Sequence, residues 1–308
     1  MQPDKLLAKR LGIDNLCQAD RMPKYFEIET IRDCNAKCSM CTVGQWDSKK
    51  GKMSNDLFNR IVKETALHSD WIETICLSRN GEPLLDNNIS NKIIMLKENK
   101  IKKVSFSTNA SLLSEKKAIE LLQTGLDEIN FSIDGTTKET FESIRIGLNF
   151  EKVVNNCLRF IELRNQMKAK TSVRIRMVLQ DDNKHERDDF INFWVPKVSS
   201  IDSVYSKIMH SWGNQLDDYK QKKNPSIEPC ISPWSTMIVH YDGKVPLCGC
   251  DFNNKHLMGD LNSATIAEIW KSPDFKETRN LHIQGNRNNI ELCTGCNIWD
   301  LEVKEVYS

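Results

Sequence analysis

Strand and helix signals alternate along this chain from about residue 25 to about residue 211, and that alternation limits the fold more than any other feature. Tyr25 to Ile31 reads as a strand. A helix follows from Ser54 to Ala66, where Ser54 is a capping residue and Phe58, Ile61, Val62 and Ala66 share one face. Strands at Ile72 to Leu77, Lys103 to Ser107, Glu128 to Ser132, Ser172 to Leu179 and Ser203 to Met209 each come after a helical stretch. The remaining stretches are Ile89 to Asn99, Ser114 to Gly125, Phe150 to Leu163 and Lys184 to Trp194, with Gly125 at a helix-ending position. Six βα units in series call for a parallel sheet. The expected class is α/β, a partial (β/α)6 TIM-like barrel over residues 24–213, preceded by an N-terminal extension at residues 1–23.

The pattern changes near residue 211. Asn214 to Pro229 is polar and reads as a linker. Thr236 to Val239 and Lys244 to Leu247 flank Asp242-Gly243, a strong turn signal, and are expected to pair as a hairpin. Helical sequence returns from Thr265 to Trp270. Residues 214–308 hold five cysteines and are expected to form a small metal-stapled module of β-hairpin and helix.

With 308 residues, 39% of them hydrophobic, the chain can bury one large core and a smaller addition. Lys plus Arg number 43 and acids 42, so the charge balance gives no reason to expect a nucleic-acid partner. No signal peptide and no run of 18 apolar residues is found. The expectation is a cytoplasmic protein with no membrane association.

There are 11 cysteines, an odd number in a chain without an export signal, which weighs against a disulfide framework. Cys17, Cys76 and Cys157 are scattered and read as small buried hydrophobes. The other eight form two groups. Cys34, Cys38 and Cys41 make a C-x3-C-x2-C run after the first strand. Thiolates are soft ligands that suit zinc or iron–sulfur. A compact zinc site needs a fourth ligand, and no histidine lies between Cys41 and His68. Three thiolates on a [4Fe–4S] cluster leave one iron for an external chelate. The amino and carboxylate groups of S-adenosylmethionine (SAM) suit it. Polar clusters also follow successive strands: Asn80-Gly81-Glu82-Pro83, Thr108-Asn109, Ser132-Ile133-Asp134-Gly135 and Asp181-Asp182-Asn183. Taken singly each is an ordinary turn; together, at the C-terminal mouth of a β/α barrel, they line one site.

On these residues the chain resembles the radical SAM superfamily over roughly residues 24 to 210. Cys34, Cys38 and Cys41 match its cluster motif. Met40 stands in a slot that is usually aromatic and lies against adenine. Gly81, Glu82 and Pro83 match the family's GGEP motif, with Asn80 in place of its first glycine, and the resemblance gives that motif the methionyl amino group of SAM. It likewise assigns Thr108 and Asn109 to the ribose, and Ser132 and Arg145 to the methionyl moiety and its carboxylate. An arginine can bond both carboxylate oxygens. The competing reading of Arg145 is a solvated charge at a helix end.

In the second group, Cys230 precedes the turn, Cys248 and Cys250 follow it, and Cys293 and Cys296 close the set. Spacing alone leaves zinc and iron–sulfur even. The arrangement resembles the Twitch module, the shortened SPASM extension of radical SAM enzymes, and Met258-Gly259-Asp260-Leu261 and Ile266 to Trp270 fit it as well. Five cysteines are fewer than the full SPASM set, so the resemblance implies one auxiliary [4Fe–4S] cluster on Cys230, Cys248, Cys293 and Cys296. Cys250 is then spare, a ligand in place of Cys248, or a catalytic hydrogen-atom donor.

The resemblance implies reductive SAM cleavage to a 5′-deoxyadenosyl radical, fed by a reductant such as flavodoxin or ferredoxin. A saturated auxiliary cluster suits electron transfer, hence dehydrogenation, or epimerisation with a returned hydrogen atom. Compact Twitch enzymes act on aminocyclitols and aminoglycosides, which points to a small carbohydrate-like substrate. Asp134, Asp182 and Asp251 are candidates to bind its hydroxyls or amines, with a solvated turn residue as the competing reading of each. The alternatives are a peptide-modifying maturase, for which the 33 residues before Cys34 leave little room for a leader-binding domain, and a non-catalytic metal protein.

Overall fold

The computed structural model describes residues 3–213, 215–216, 228–296, 298 and 306–307. Its strands are β1 (Tyr25–Ile28), β2 (Ile31–Arg32), β3 (Gly51–Lys52), β4 (Thr74–Cys76), β5 (Lys103–Thr108), β6 (Glu128–Ser132), β7 (Ser172–Leu179), β8 (Ser203–Ile208), β9 (Thr236–Val239), β10 (Lys244–Pro246), β11 (Leu257–Asp260) and β12 (Val306–Tyr307). Its α-helices are α1 (Pro3–Leu11), α2 (Asn55–Ala66), α3 (Ile89–Glu98), α4 (Glu115–Leu122), α5 (Lys138–Ile144), α6 (Phe150–Gln166), α7 (Arg187–Trp194), α8 (Ser232–Ser235), α9 (Ile266–Trp270) and α10 (Pro273–Ile283). Among the described residues no helix is long and apolar enough to cross a membrane.

Eight strands form one sheet in the order β12-β8-β7-β6-β5-β4-β1-β9, parallel throughout except for β12 at its edge. The six strands expected for the barrel are consecutive neighbours in it, which is the partial (β/α)6 arrangement. Local sequence explains the pieces. Ser54 accepts a hydrogen bond from Leu57 N–H and starts α2, which buries Phe58, Ile61 and Val62. β6 is buried at all five positions, the mark of an inner parallel strand. β7 alternates: Val173, Ile175 and Met177 enter the core, while Ser172, Arg174, Arg176 and Val178 occupy the other, half-buried face.

The expected hairpin is not how β9 and β10 pair. The turn itself is present: His240 N–H donates to Lys244 O at 2.9 Å, and Gly243 takes φ +92°. Yet β9 runs parallel to β1, with Tyr25 to Ile28 opposite Thr236 to Val239. β10 instead pairs antiparallel with β11, a strand the sequence reading did not contain. The cause is burial. Met237, Ile238 and Val239 are all buried, and an unbroken apolar run suits a parallel strand covered on both faces better than a half-exposed hairpin. β1 is also shorter than expected, since Ile31 and Arg32 pair with Lys52 and Gly51. Residues 214 and 217–227 of the expected linker lie outside the described residues.

Further contacts seat the C-terminal region on the barrel and on the segment that precedes it. Glu64 of α2 accepts from Ile266 N–H and Ala267 N–H, both at 2.9 Å, at the start of α9. Trp270 Nε1 donates to Ala19 O at 2.8 Å. Leu7 and Leu11 of α1 pack with Ala19 on Trp234.

The N-terminal ends of β7 and β8 are tied by a buried ion pair. Arg164 of α6 gives two parallel bonds to Asp202, at 2.7 and 2.8 Å, and Asp202 also accepts from Val173 N–H and Ser199 N–H. Both side chains are essentially inaccessible. Asp202→Ala should therefore lower stability by about 3–5 kcal/mol, because the Arg164 charge stays buried without its partner. Urea unfolding of the metal-free protein measures it, and a loss below about 1 kcal/mol would mean water reaches Arg164.

Candidate functional site

The Cys34–Cys41 loop leaves β2 at the C-terminal mouth of the barrel and is held by backbone bonds on two sides. Lys37 N–H donates to Ile146 O at 2.9 Å and Ser39 N–H to Ile144 O at 3.0 Å, so the loop is laced to the residues flanking Arg145. On the other side Glu82 N–H donates to Asp33 O at 2.8 Å. Gly81 makes this approach possible. It has φ +131°, and a Cβ there would lie 2.5 Å from Ile31 O and 2.8 Å from Asp33 O.

Glu82 is almost fully buried and joins three segments. Its carboxylate accepts from Thr108 Oγ1 at 2.7 Å, Leu84 N–H at 3.0 Å and Asn109 N–H at 2.8 Å. Burial pushes its pKa up, against the pull of those donors and of Arg145. Asn109 Nδ2 continues the network to Asn35 in the cysteine loop at 3.0 Å.

Arg145 is not a solvated charge. It is 8% exposed, its Nε donates to Asp134 Oδ2 at 2.6 Å, and its Nη1 reaches Cys38 Sγ at 3.8 Å. Asp134 is fully buried, and its other oxygen accepts from Val178 N–H at 2.7 Å. It therefore aims the arginine and is not open to a substrate. Asp251 is likewise buried and spends its carboxylate on Lys255 N–H and His256 N–H, while Asp182 is exposed on the surface. None of the three acids lines the site, which corrects the expectation that they bind substrate.

All the expected SAM-side residues meet in one cavity of about 490 Å³: Cys34, Cys38, Met40, Cys41, Gly81, Glu82, Thr108, Asn109, Ser132 and Arg145. Met40 packs with Ile144 and Met209, and its carbonyl accepts from Trp212 Nε1 at 3.2 Å. Ser132 Oγ accepts from Arg176 at 3.1 Å.

The second cysteine group lines the same cavity: Cys230, Cys248, Cys250, Cys293 and Cys296. Cys250 is buried and its thiol meets those of Cys248 and Cys296. His282 spans the group, accepting from Cys230 N–H on Nδ1 at 3.0 Å with Nε2 at 3.6 Å from Cys293 Sγ. Arg287 donates to Cys296 O at 2.6 Å. Of the three scattered cysteines, Cys157 is buried as expected; Cys17 is exposed, and Cys76 faces the cavity from the end of β4.

Between the two thiol groups lies a wall that the sequence reading did not identify: Glu27, Arg79, Arg176, Lys207, His210 and Trp212. Arg79 pairs with Glu27 at 2.7 Å, donates to Gly249 O, and lies 5.2 Å over the Trp212 ring. Burial and the nearby Lys207 hold the His210 pKa down at about 3, so its ring is neutral. A signal existed in the polar-apolar alternation of Ser172 to Leu179. A strand that buries both faces in apolar layers has no use for Arg174 and Arg176, so one face had to line a polar lumen.

The donor sets fit iron–sulfur ligation: soft thiols gathered on one cavity in groups of three and five, with no carboxylate or imidazole among the described residues completing the first set. Loading must displace protons, since burial raises the Cys34 thiol to about 12 and lifts Cys230 and Cys41 as well.

The model of the radical SAM superfamily matches residues 28–193, just over half of the chain, and that of an iron–sulfur cluster-binding domain, SPASM, matches residues 230–297. The S-adenosyl-L-methionine-dependent 2-deoxy-scyllo-inosamine dehydrogenase of Niallia circulans is 23% identical over 294 residues, 94% of this chain and 98% of that one. A probable GTP 3′,8-cyclase of Methanococcus maripaludis is 34% identical over 141 residues, and the match spans 46% of either protein. The crystal structure of BtrN in complex with AdoMet and 2-DOIA has a TM-score of 0.63 at 21% identity, covering 93% of this chain and 97% of that one. Streptococcus suis SuiB bound to precursor peptide SuiA has a TM-score of 0.65 at 13% identity, covering 89% and 70%. At these identities the two structures speak for the fold. The two matched domains imply SAM and more than one [4Fe–4S] cluster as cofactors. By its matched length and by the cysteine loop at the barrel mouth, this chain belongs to the radical SAM superfamily and carries a C-terminal SPASM iron–sulfur domain.

Proposed function

We propose that the protein dehydrogenates a small carbohydrate-like substrate, and the observation that carries this reading is the single cavity lined by both thiol groups. SAM bound at a reduced cluster supplies the 5′-deoxyadenosyl radical that takes a hydrogen atom from a substrate C–H bond. In this reading Cys34, Cys38 and Cys41 hold the SAM-cleaving cluster and leave one iron for the SAM amino and carboxylate groups. Arg145, aimed by Asp134, bonds the carboxylate. Gly81 and Glu82 receive the methionyl amino group, and Ser132 contacts the methionyl moiety. Thr108 and Asn109 line the ribose, and Met40 packs beside adenine. Cys230, Cys248, Cys293 and Cys296 hold the auxiliary cluster.

A dehydrogenation balances on these parts. Taking CH–OH to C=O removes a hydrogen atom, one electron and the hydroxyl proton, which goes to solvent; a cluster held by Cys230, Cys248, Cys293 and Cys296 would supply the acceptor for that electron. A flavodoxin- or ferredoxin-type protein is the expected source of the electron that starts SAM cleavage. The full-length similarity to an inosamine dehydrogenase supports this reading over peptide modification. Residues 24–213 and 214–308 are read as the barrel and the auxiliary-cluster region. Epimerisation is the second reading, and it rests on Cys250, whose thiol borders the cavity. A thiol can return a hydrogen atom to a carbon radical.

Reconstituted protein should hold about eight irons per chain. Replacing Cys34, Cys38 and Cys41 by Ala should remove about half and abolish 5′-deoxyadenosine formation with dithionite. Stoichiometric zinc without labile sulfide would contradict the assignment.

Arg145→Ala should weaken SAM binding to the cluster-loaded protein by roughly ten- to a hundredfold, one charge-assisted pair. Asp134→Asn should weaken it less, because the guanidinium remains but is no longer aimed. Unchanged affinity in both would remove Arg145 from the SAM site.

Cys250→Ala separates the two reactions. A dehydrogenase should stay active in this variant and give a product two hydrogens poorer. An epimerase should cleave SAM, fail to finish the epimer, and in wild-type form place one solvent deuterium at the inverted carbon in D2O. Loss of the auxiliary iron in Cys250→Ala would make Cys250 a ligand.

A further inference from the structure

Two cations face the cavity from adjacent strands, and among the described residues neither is ion-paired to a carboxylate. Arg176 on β7 and Lys207 on β8 both line the cavity, on the face of the sheet that also presents Ser132 and Val178. Among the described residues Arg176 bonds only the neutral Ser132 hydroxyl, and its buried Nε has no partner. Among the described residues Lys207 makes neither a hydrogen bond nor an ion pair, and the one carboxylate whose charge acts on it is Glu27. The other charges on this wall are already accounted for: Glu27 is bound by Arg79, His210 is neutral, and Glu82 and Arg145 belong to the bond network around the Cys34–Cys41 loop. Arg79 is the cation that faces the auxiliary thiols, through Gly249 O and its field on Cys248 and Cys250.

Two like charges held together in a half-buried place repel each other and lose hydration. The Lys207 pKa is lowered for these reasons, by burial first and by Arg176 among the neighbouring charges. An anion between them would remove both penalties. We infer that Arg176 and Lys207 form an anion subsite, so that the substrate of the proposed reaction carries a carboxylate or phosphate group anchored on β7 and β8. This rests on the reading of the cavity as the substrate site and narrows its class from neutral or amino sugars to acidic ones. Arg176 provides a planar fork that bonds two oxygens, and Lys207 provides a point charge. An anchor at this wall would set the substrate between the SAM-side residues and the auxiliary thiols.

The test is anaerobic calorimetry on the cluster-loaded protein saturated with SAM, so that SAM's own carboxylate occupies its site. The probes are glucose, glucuronate and glucose 6-phosphate, with inorganic phosphate as competitor. The expected result is that at least one acidic sugar binds roughly ten- to a hundredfold more tightly than glucose, as one charge-assisted pair requires. Glucuronate or glucose 6-phosphate as the tighter ligand separates carboxylate from phosphate. Arg176→Gln and Lys207→Gln should each shrink the preference, with iron content and SAM affinity held in Lys207→Gln. Equal binding of glucose and both acidic sugars by the wild-type protein would overturn the subsite, and needs no variant to fold. Loss of iron or of SAM affinity in Lys207→Gln would overturn it too, assigning that cation to a cluster or to SAM. Failure of the underlying reading shows separately, as the absence of 5′-deoxyadenosine with dithionite and SAM.

Discussion

A carboxylate with no access to water has to find donors, and in this fold the donors that Glu82 finds are the ends of other strands. Thr108 and Asn109 come from the end of β5, Leu84 from the turn after β4, and the Glu82 main chain itself reaches Asp33 at the base of the cysteine loop. Leaving such a group unpaired would cost several kcal/mol, so the burial of one side chain fixes the relative positions of three loops. The cysteine loop inherits its shape from this junction on one side and from Ile144 and Ile146 on the other. Gly81 is the only residue type that lets the two backbones come so close.

A second junction connects the barrel mouth to the C-terminal thiols. Trp212 follows β8, donates to Met40 O, lies under Arg79 and meets Phe252 edge-on with ring centroids 6.3 Å apart. Gln215 then bridges Trp212 O to Cys250 O. Through these bonds the wall of the cavity is built jointly from both regions, and neither thiol group faces a surface of its own.

What could be read from sequence was what depends on near neighbours in the chain. The bounds of Glu128–Ser132 and Ser172–Leu179 came directly from apolar patterning between turn residues, and the Cys34–Cys41 run announced itself through spacing. Thr236–Val239 was legible as a strand, but not its partner, because pairing with β1 spans some two hundred residues and leaves no local trace. Asp134 was legible as polar and strand-terminal, yet its role is set by Arg145, whose approach depends on how α5 turns back. Arg176 and Lys207 were hidden differently. Their alternation with apolar residues is consistent with a strand, and its second meaning, that the polar face looks into a lumen, appears only when the sheet curves.

The parallel pairing of β9 with β1 has a consequence for the barrel as an object in solution. β1 would otherwise be the last strand on its side of the sheet, with its main-chain N–H and C=O groups open to any extended segment of another chain. The residues that follow Cys230 fill that position with a strand of the molecule's own. The stretch of chain that brings the auxiliary thiols into place therefore also satisfies the main-chain groups of β1, and the edge of the barrel sheet passes to a strand of the C-terminal region.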